Sequence, residues 1–236
     1  STRANDVVPA DGSSPAVRSV SNRIRARLAY ATMQQAFFVG RPELYRETYP
    51  YAGGNAYSYL WPYSHALTAT LHLAQLPDPG GYYDRELEIR LAGLEYYWND
   101  SLVPPAYDSY VPPPLGSGGD RFYDDNVWIG LDLVRVFALT GDRAALDRAE
   151  QVFDFIVSGW DTDPTHPAPG GVFWTDADWS RERGTVSTGF GALLGFRIFE
   201  ITGDPRVLDW AWKMYSWTNE YMLGPNGLYW DHIELD

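Results

Sequence analysis

One repeat constrains this chain more than any other feature. Leu139-Thr-Gly-Asp142 runs into Leu146-Asp147, and Ile201-Thr-Gly-Asp204 runs into Leu208-Asp209, at an offset of 62 for every matched position. Each Thr-Gly-Asp reads as a tight turn: glycine ends one helix and aspartate caps the next. A weaker echo, Leu76-Pro-Asp78, stands before another helical segment. The unit is inner helix, turn, outer helix, long loop. Such a unit cannot bury its own apolar face and has to stack on neighbours.

Periodicity fills in the rest. It predicts seven helices, near 16–38, 58–76, 83–99, 126–140, 143–158, 185–202 and 205–222. The fifth carries a single stripe of Ala145, Leu146, Ala149, Val152, Phe153 and Ile156 at helical spacing. The seventh carries Val207, Leu208, Ala211, Met214, Tyr215, Thr218 and Met222, and the third Leu87, Leu91, Leu94 and Trp98. Helices 126–140 and 185–202 are apolar nearly all round, and the latter holds Gly189, Gly191, Ala192 and Gly195. Buried helices therefore alternate with half-exposed ones, as in two concentric layers. The expected fold is all-α, an α/α toroid, with one domain over 16–236 and a loose polar segment at 1–15. At 236 residues the chain holds under four such units. Its last stretch, from Gly224, reads as a loop leading to another helix, so the ring is expected to be incomplete. Exposed inner helices would then favour self-association.

Charge and residue usage exclude several function classes. Asp and Glu total 31 against 18 Lys and Arg, a net charge of −13, which disfavours nucleic acid and anionic lipid as partners. Cysteine is absent, which removes disulfides, thiolate metal sites and a cysteine nucleophile. The longest apolar stretches are interrupted by Asp132, Arg135 and Arg197 and are too short for a membrane span. The opening Ser-Thr-Arg-Ala-Asn-Asp reads as a processed end.

Function, if present, belongs to the long loops 39–57, 100–125, 159–184 and 223–236, which share one end of the array. Tyr123-Asp-Asp-Asn-Val-Trp128 is the sharpest motif there. Two readings stand side by side. Asp124, Asp125 and Asn126 suit the free amides and positive end of a helix start. The repeat itself does not demand two acids, since the next unit has Thr185-Val-Ser187 at the equivalent place. The second reading is a carboxylate pair for glycoside hydrolysis, one acid protonated and one ionised. Like charges held close raise one pKa, and Tyr123 and Trp128 offer an apolar wall that aids this.

Aromatic loops interleaved with polar groups accompany the pair: Gly170-Gly-Val-Phe-Trp174 and Gly227-Leu-Tyr-Trp-Asp-His232. Sugars present C–H faces to stack on rings and hydroxyl rims to bond Asp, Asn and His. The aromatics either plug the ends of the helical layers or, as an ensemble on one face, line a carbohydrate cleft. Other signals fail. Gly189-x-Gly191 sits inside a helix and follows no strand. In Asp161-x-Asp163-x-Thr165 the required calcium-loop glycine is His166. The four histidines, 65, 72, 166 and 232, lack metal-ligand spacing. Asn99-Asp-Ser101 is a glycosylation sequon, meaningful only in a eukaryotic secretory host.

From about residue 20 onward these motifs resemble glycoside hydrolase family 76, the endo-α-1,6-mannanase family with an (α/α)6 barrel. The double Asp is the most specific element. The resemblance implies a retaining mechanism with Asp124 as nucleophile and Asp125 as general acid/base. Asp231 matches a family aspartate in the sugar cleft, so the resemblance implies that it binds substrate; the motif and the aromatic loops add Tyr123, Asn126, Trp128, Trp174, Tyr229, Trp230 and His232 as expected binding residues. It further implies endo-cleavage of α-1,6-linked mannan, outside or at the surface of the cell, with neither metal nor cofactor. The family's later Tyr-Asn-Gln-Gly-type segment has no counterpart here. A different sugar-active α-barrel enzyme, such as an epimerase or an unsaturated-uronide hydrolase, is the neighbouring alternative; an epimerase would lean on His65 and His232. A non-catalytic helical array binding glycan or protein is the third.

Overall fold

A computed structural model of the chain describes residues 15–235. The loose segment expected at 1–15 lies outside them, apart from Pro15. Seven α-helices follow in order: α1 (Pro15–Phe37), α2 (Leu60–Ala74), α3 (Tyr82–Leu94), α4 (Tyr123–Thr140), α5 (Arg143–Ser158), α6 (Gly191–Thr202) and α7 (Pro205–Trp217). Helices α2 and α3, α4 and α5, and α6 and α7 pack as hairpins, and α2, α4 and α6 also pack on one another in succession. Those three form the inner layer, with α1, α3, α5 and α7 outside. No described helix is long and apolar enough to cross a membrane.

The repeat explains the hairpins. Gly141 and Gly203 take left-handed backbone (φ 75° and 68°), which a side chain disfavours. Asp142 then accepts the N–H of Ala144 at 3.0 Å, and Asp204 that of Arg206 at 2.8 Å. Thr140 and Thr202 each accept the aspartate's own N–H through Oγ1. In the weaker echo, Asp78 accepts the N–H of Tyr83 in the first turn of α3. The whole predicted stripe of α5 is buried. Ala145, Ala149, Val152, Phe153 and Ile156 of that stripe share one core with Val127, Ile129, Leu133 and Val136 of α4 and Leu194 and Ile198 of α6. Each fully buried aliphatic side chain of this kind contributes roughly 1.5–3 kcal/mol.

Four expectations shift. The helix predicted at 83–99 ends at Leu94 and passes through a 3-10 turn into β1 (Trp98–Asn99), which pairs with β2 (Ala106–Tyr107). That pairing draws Trp98 and Asn99 out of the helix, and an Asx turn follows, in which Asn99 Oδ1 accepts the Ser101 N–H at 3.0 Å. The helix predicted at 185–202 spans those residues but is not uniformly α. β3 (Arg183–Gly184) pairs with β4 (His232–Ile233), and a π-helical turn over Val186–Phe190 precedes α6. The Thr185 N–H, free at the start of a helix, donates to the Asp231 carbonyl. Helix α4 starts at Tyr123, three residues before the predicted start, which puts both aspartates inside its first turn. Finally, the inner helices are not buried all round: Leu193 and Ile201 are exposed. With Leu131 and Ala138 they line a groove along the inner face.

Candidate active site

The start of α4 is clamped from two loops. Arg121 donates to Asp176 Oδ2 at 2.7 Å and to the Pro104 carbonyl at 2.6 Å, with its guanidinium over the Phe155 ring. The Tyr123 N–H, free in an isolated helix, donates to the Trp174 carbonyl at 2.9 Å. Phe122, the N-cap residue, provides no side-chain cap. In the first turn Tyr123 and Asn126 face the core, while Asp124, Asp125 and Trp128 face a cleft of about 730 Å³. Asp124 and Asp125 are both half-buried. Asp124 Oδ1 accepts the N–H of Asp125 at 2.8 Å, and its Oδ2 accepts the indole N–H of Trp174 at 3.0 Å. Among the described residues, no donor is bonded to the Asp125 carboxylate.

The electrostatics separate two identical side chains. Burial raises the pKa of Asp124, opposed by the bonds from Asp125 and Trp174, with Glu182 adding a smaller push upward. Asp125 is pushed up to about 7, by burial first and by the Asp124 charge second. A helix N-terminus favours carboxylates, so burial here outweighs the dipole. Capping therefore covers little of the pair: Asp124 takes one first-turn amide and Asp125 takes none. The arrangement sets a carboxyl that titrates at about 7 beside one held by two donors in the same cleft, a pairing suited to acid-assisted cleavage of an acetal.

Residues 21–236 match the sequence profile of glycosyl hydrolase family 76. The chain belongs to that family.

Its helices superpose on a family 76 glycoside hydrolase from a bovine Bacteroides thetaiotaomicron strain with TM-score 0.79 at 26% identity, covering 91% of this chain and 46% of that one. An inactive variant of the GH76A α-1,6-mannanase of Salegentibacter sp. HEL1_6, in complex with α-1,6-mannotriose, superposes with TM-score 0.71 at 20% identity, covering 91% and 56%. A curated relative, mannan endo-1,6-alpha-mannosidase DCW1 of Saccharomyces cerevisiae, is 31% identical over 94 residues, 37% of this chain and 20% of that protein. The chain thus spans about half the length of these structural neighbours and a fifth of that curated relative. The hairpin row is part of the all-α toroid that family 76 structures form.

Against this family 76 frame, the expected binding residues divide. Trp128 and Trp174 line the cleft with the two aspartates. Tyr123 does not: its ring is buried and stacks on Phe155 at 4.4 Å. Asn126 does not either. It is fully buried, its Oδ1 accepts the Tyr107 N–H, and its Nδ2 donates to the carbonyls of Tyr107 and Phe122. Its amide is saturated by backbone, so both residues are corrected from substrate contacts to supports of the helix start.

Tyr229, Trp230, Asp231 and His232 form an exposed rim outside the cleft lining. The Tyr229 hydroxyl donates to Asn219, and Thr185 bonds the carbonyls of Trp230 and Asp231, fixing the rim beside Val186. His232 has its pKa raised by its bond to Asp231 and stands 3.7 Å from Glu182 and from Glu234. Glu182, His232 and Glu234 share one face of the β3–β4 ladder, with one ligand-type atom each within 4.8 Å of the others. They are the cluster with metal-ligand spacing among the described residues.

The opposite wall escaped the sequence motifs. Trp61, Ser64, His65 and Thr68 of α2 line the cleft, with Tyr59, Ser109, Phe122 and Val186. The signal was present as a polar and aromatic stripe at i, i+3, i+4 and i+7 on an otherwise apolar helix.

Proposed function

We propose that this chain acts as an endo-acting, retaining glycoside hydrolase on α-1,6-linked mannan. One observation carries the reading: two adjacent, half-buried carboxyls line a single aromatic cleft, and among the described residues only one of them has bonded donors. Asp125, protonated near neutrality, donates its proton to the glycosidic oxygen. Asp124 attacks the anomeric carbon as the C–O bond breaks, giving a mannosyl ester. Asp125, now a carboxylate, takes a proton from water; the water oxygen attacks the anomeric carbon and releases Asp124. Two inversions leave the configuration unchanged. Trp61, Trp128 and Trp174 offer ring faces to the sugar C–H faces, while His65, Ser64 and Thr68 offer hydrogen bonds.

The DCW1 relative is named for endo-1,6-α-mannosidase activity, and the Salegentibacter neighbour holds α-1,6-mannotriose; both support the linkage. Action on such a polymer implies secretion or display at the cell surface. An epimerase would need two histidines facing the cavity, and His65 lines the cleft while His232 does not. The test is proton NMR of unbranched α-1,6-mannan during digestion, with product sizing. Early appearance of the α-anomer on a ladder of internal fragments is expected. The β-anomer first, monomer alone, or no cleavage would overturn the reading.

A further inference from the structure

Trp174 is held at three points besides its indole nitrogen. Its carbonyl accepts the N–H of Tyr123, the first residue of α4, and its own N–H donates to the Glu182 carbonyl, each at 2.9 Å. Its ring packs on Phe122 (centroids 4.8 Å) and edge-on against Trp179 (5.4 Å). Trp179 is itself anchored, since its indole N–H donates to Asp120 Oδ2 at 2.7 Å. The remaining polar atom of Trp174 is the indole N–H, and it donates to Asp124 Oδ2 at 3.0 Å. An indole nitrogen only donates, so this bond favours the ionised form of its partner. Asp124 Oδ1 is already held by the Asp125 N–H. With both oxygens bonded, the carboxylate plane is fixed relative to the helix.

We propose that Trp174 is a positioning residue for the hydrolysis: its indole N–H fixes the orientation of the Asp124 carboxylate, while its backbone fixes the helix start that carries Asp124. This rests on the hydrolase reading above. Attack on an anomeric carbon requires an oriented lone pair, and a freely turning carboxylate spends most of its time misaligned. The bond also distinguishes two chemically identical neighbours, because among the described residues no equivalent donor reaches Asp125. Trp174 thus acts through Asp124 as well as through its ring.

Replacing Trp174 by Phe keeps ring packing and both backbone bonds and removes the donor. A second variant carries benzothienylalanine, the isostere with sulfur in place of the N–H, in case Phe loosens the loop. The readouts are kcat/KM on α-1,6-mannan against pH, and the carboxyl titration of Asp124 followed by carbon NMR. Both variants are expected to lose roughly tenfold to a hundredfold in kcat/KM, as for a lost bond to a charged group. The acidic limb of the profile and the Asp124 titration are expected to move up by about one pH unit. A purely structural role would lower activity without moving that limb, and an unmoved limb and titration overturn the proposal. If the parent chain cleaves no mannan, the hydrolase reading fails by itself. The NMR titration then still decides whether Trp174 anchors Asp124.

Discussion

Replacing Asp125 by Asn sets two demands on the same side chain against each other. Burial and the neighbouring Asp124 raise the Asp125 carboxyl from 3.8 to about 7 in the folded chain. That is a rise of about 3 units, and each unit corresponds to about 1.4 kcal/mol, so the ceiling is about 4 kcal/mol. Side-chain relaxation and water reaching the cleft reduce this, and about 2 kcal/mol is the expected size. The sign follows from proton counting. Between about pH 4 and 7 the folded state binds the extra proton, so this group's contribution to stability falls as pH rises through that window. The neutral amide removes the penalty. Urea unfolding of both proteins between pH 4 and 9 should therefore show equal stability at the acid end. The Asn variant should be more stable by about 2 kcal/mol above pH 8, and mannan cleavage should be lost. A helix-capping aspartate predicts the reverse, a loss of about 1 kcal/mol on replacement. If the variant is less stable at pH 8, the argument from burial and like charge is wrong.

Three further outcomes follow from the same geometry. The kcat/KM profile on α-1,6-mannan should fall on the basic side with a midpoint near 7, because Asp125 has to enter the first step protonated; full activity held to pH 9 would contradict its role as the acid. Trp61→Ala should raise KM about five- to tenfold, since the exposed ring lines the cleft and stacking of this kind contributes about 1 kcal/mol. Its stability should change by less than about 0.5 kcal/mol, and an unchanged KM would remove Trp61 from the binding wall. Asn126→Ala should lower stability by about 2–4 kcal/mol in urea unfolding, because the Tyr107 N–H and carbonyl lose their buried partner. A loss below about 0.5 kcal/mol would return Asn126 to the cleft.

The scaffold was legible because its signals are local. Thr140-Gly-Asp142 and Thr202-Gly-Asp204 each specify a left-handed glycine and an aspartate cap within a few residues, and the stripe from Ala145 to Ile156 repeats at the period of one helix. Helix ends that depend on distant partners were not legible. Trp98 and Asn99 leave the helix because Ala106 and Tyr107 lie alongside them. The free first-turn N–H of Thr185 finds its partner in Asp231, 46 positions on. The start of α4 at Tyr123 requires the Trp174 carbonyl, 51 positions away in sequence. The site divides along the same line. The double Asp and Trp174 are contiguous motifs. Asn126 has the same composition cue as a sugar-binding amide, and only the fold reveals that Tyr107 and Phe122 saturate it.

The repeat also explains why the cleft is where it is. Counting back by its offset from Asp124 reaches Pro62, beside Trp61; counting forward reaches Val186. Trp61, Asp124 and Val186 all line the cleft. The beginnings of the three inner helices therefore converge on one space, whatever residues occupy them. At Val186 the position is apolar and the backbone relaxes into a π turn, a common device where a helix enters a site. At Trp61 it is an aromatic wall. At Asp124 and Asp125 it holds two acids that the helix dipole tolerates and burial penalises. A position that merely ended a helix would not hold both against that penalty, since one capping oxygen is enough and Asp125 caps nothing. The pair is explained by what the convergence point has to do, and the repeat by what has to surround it.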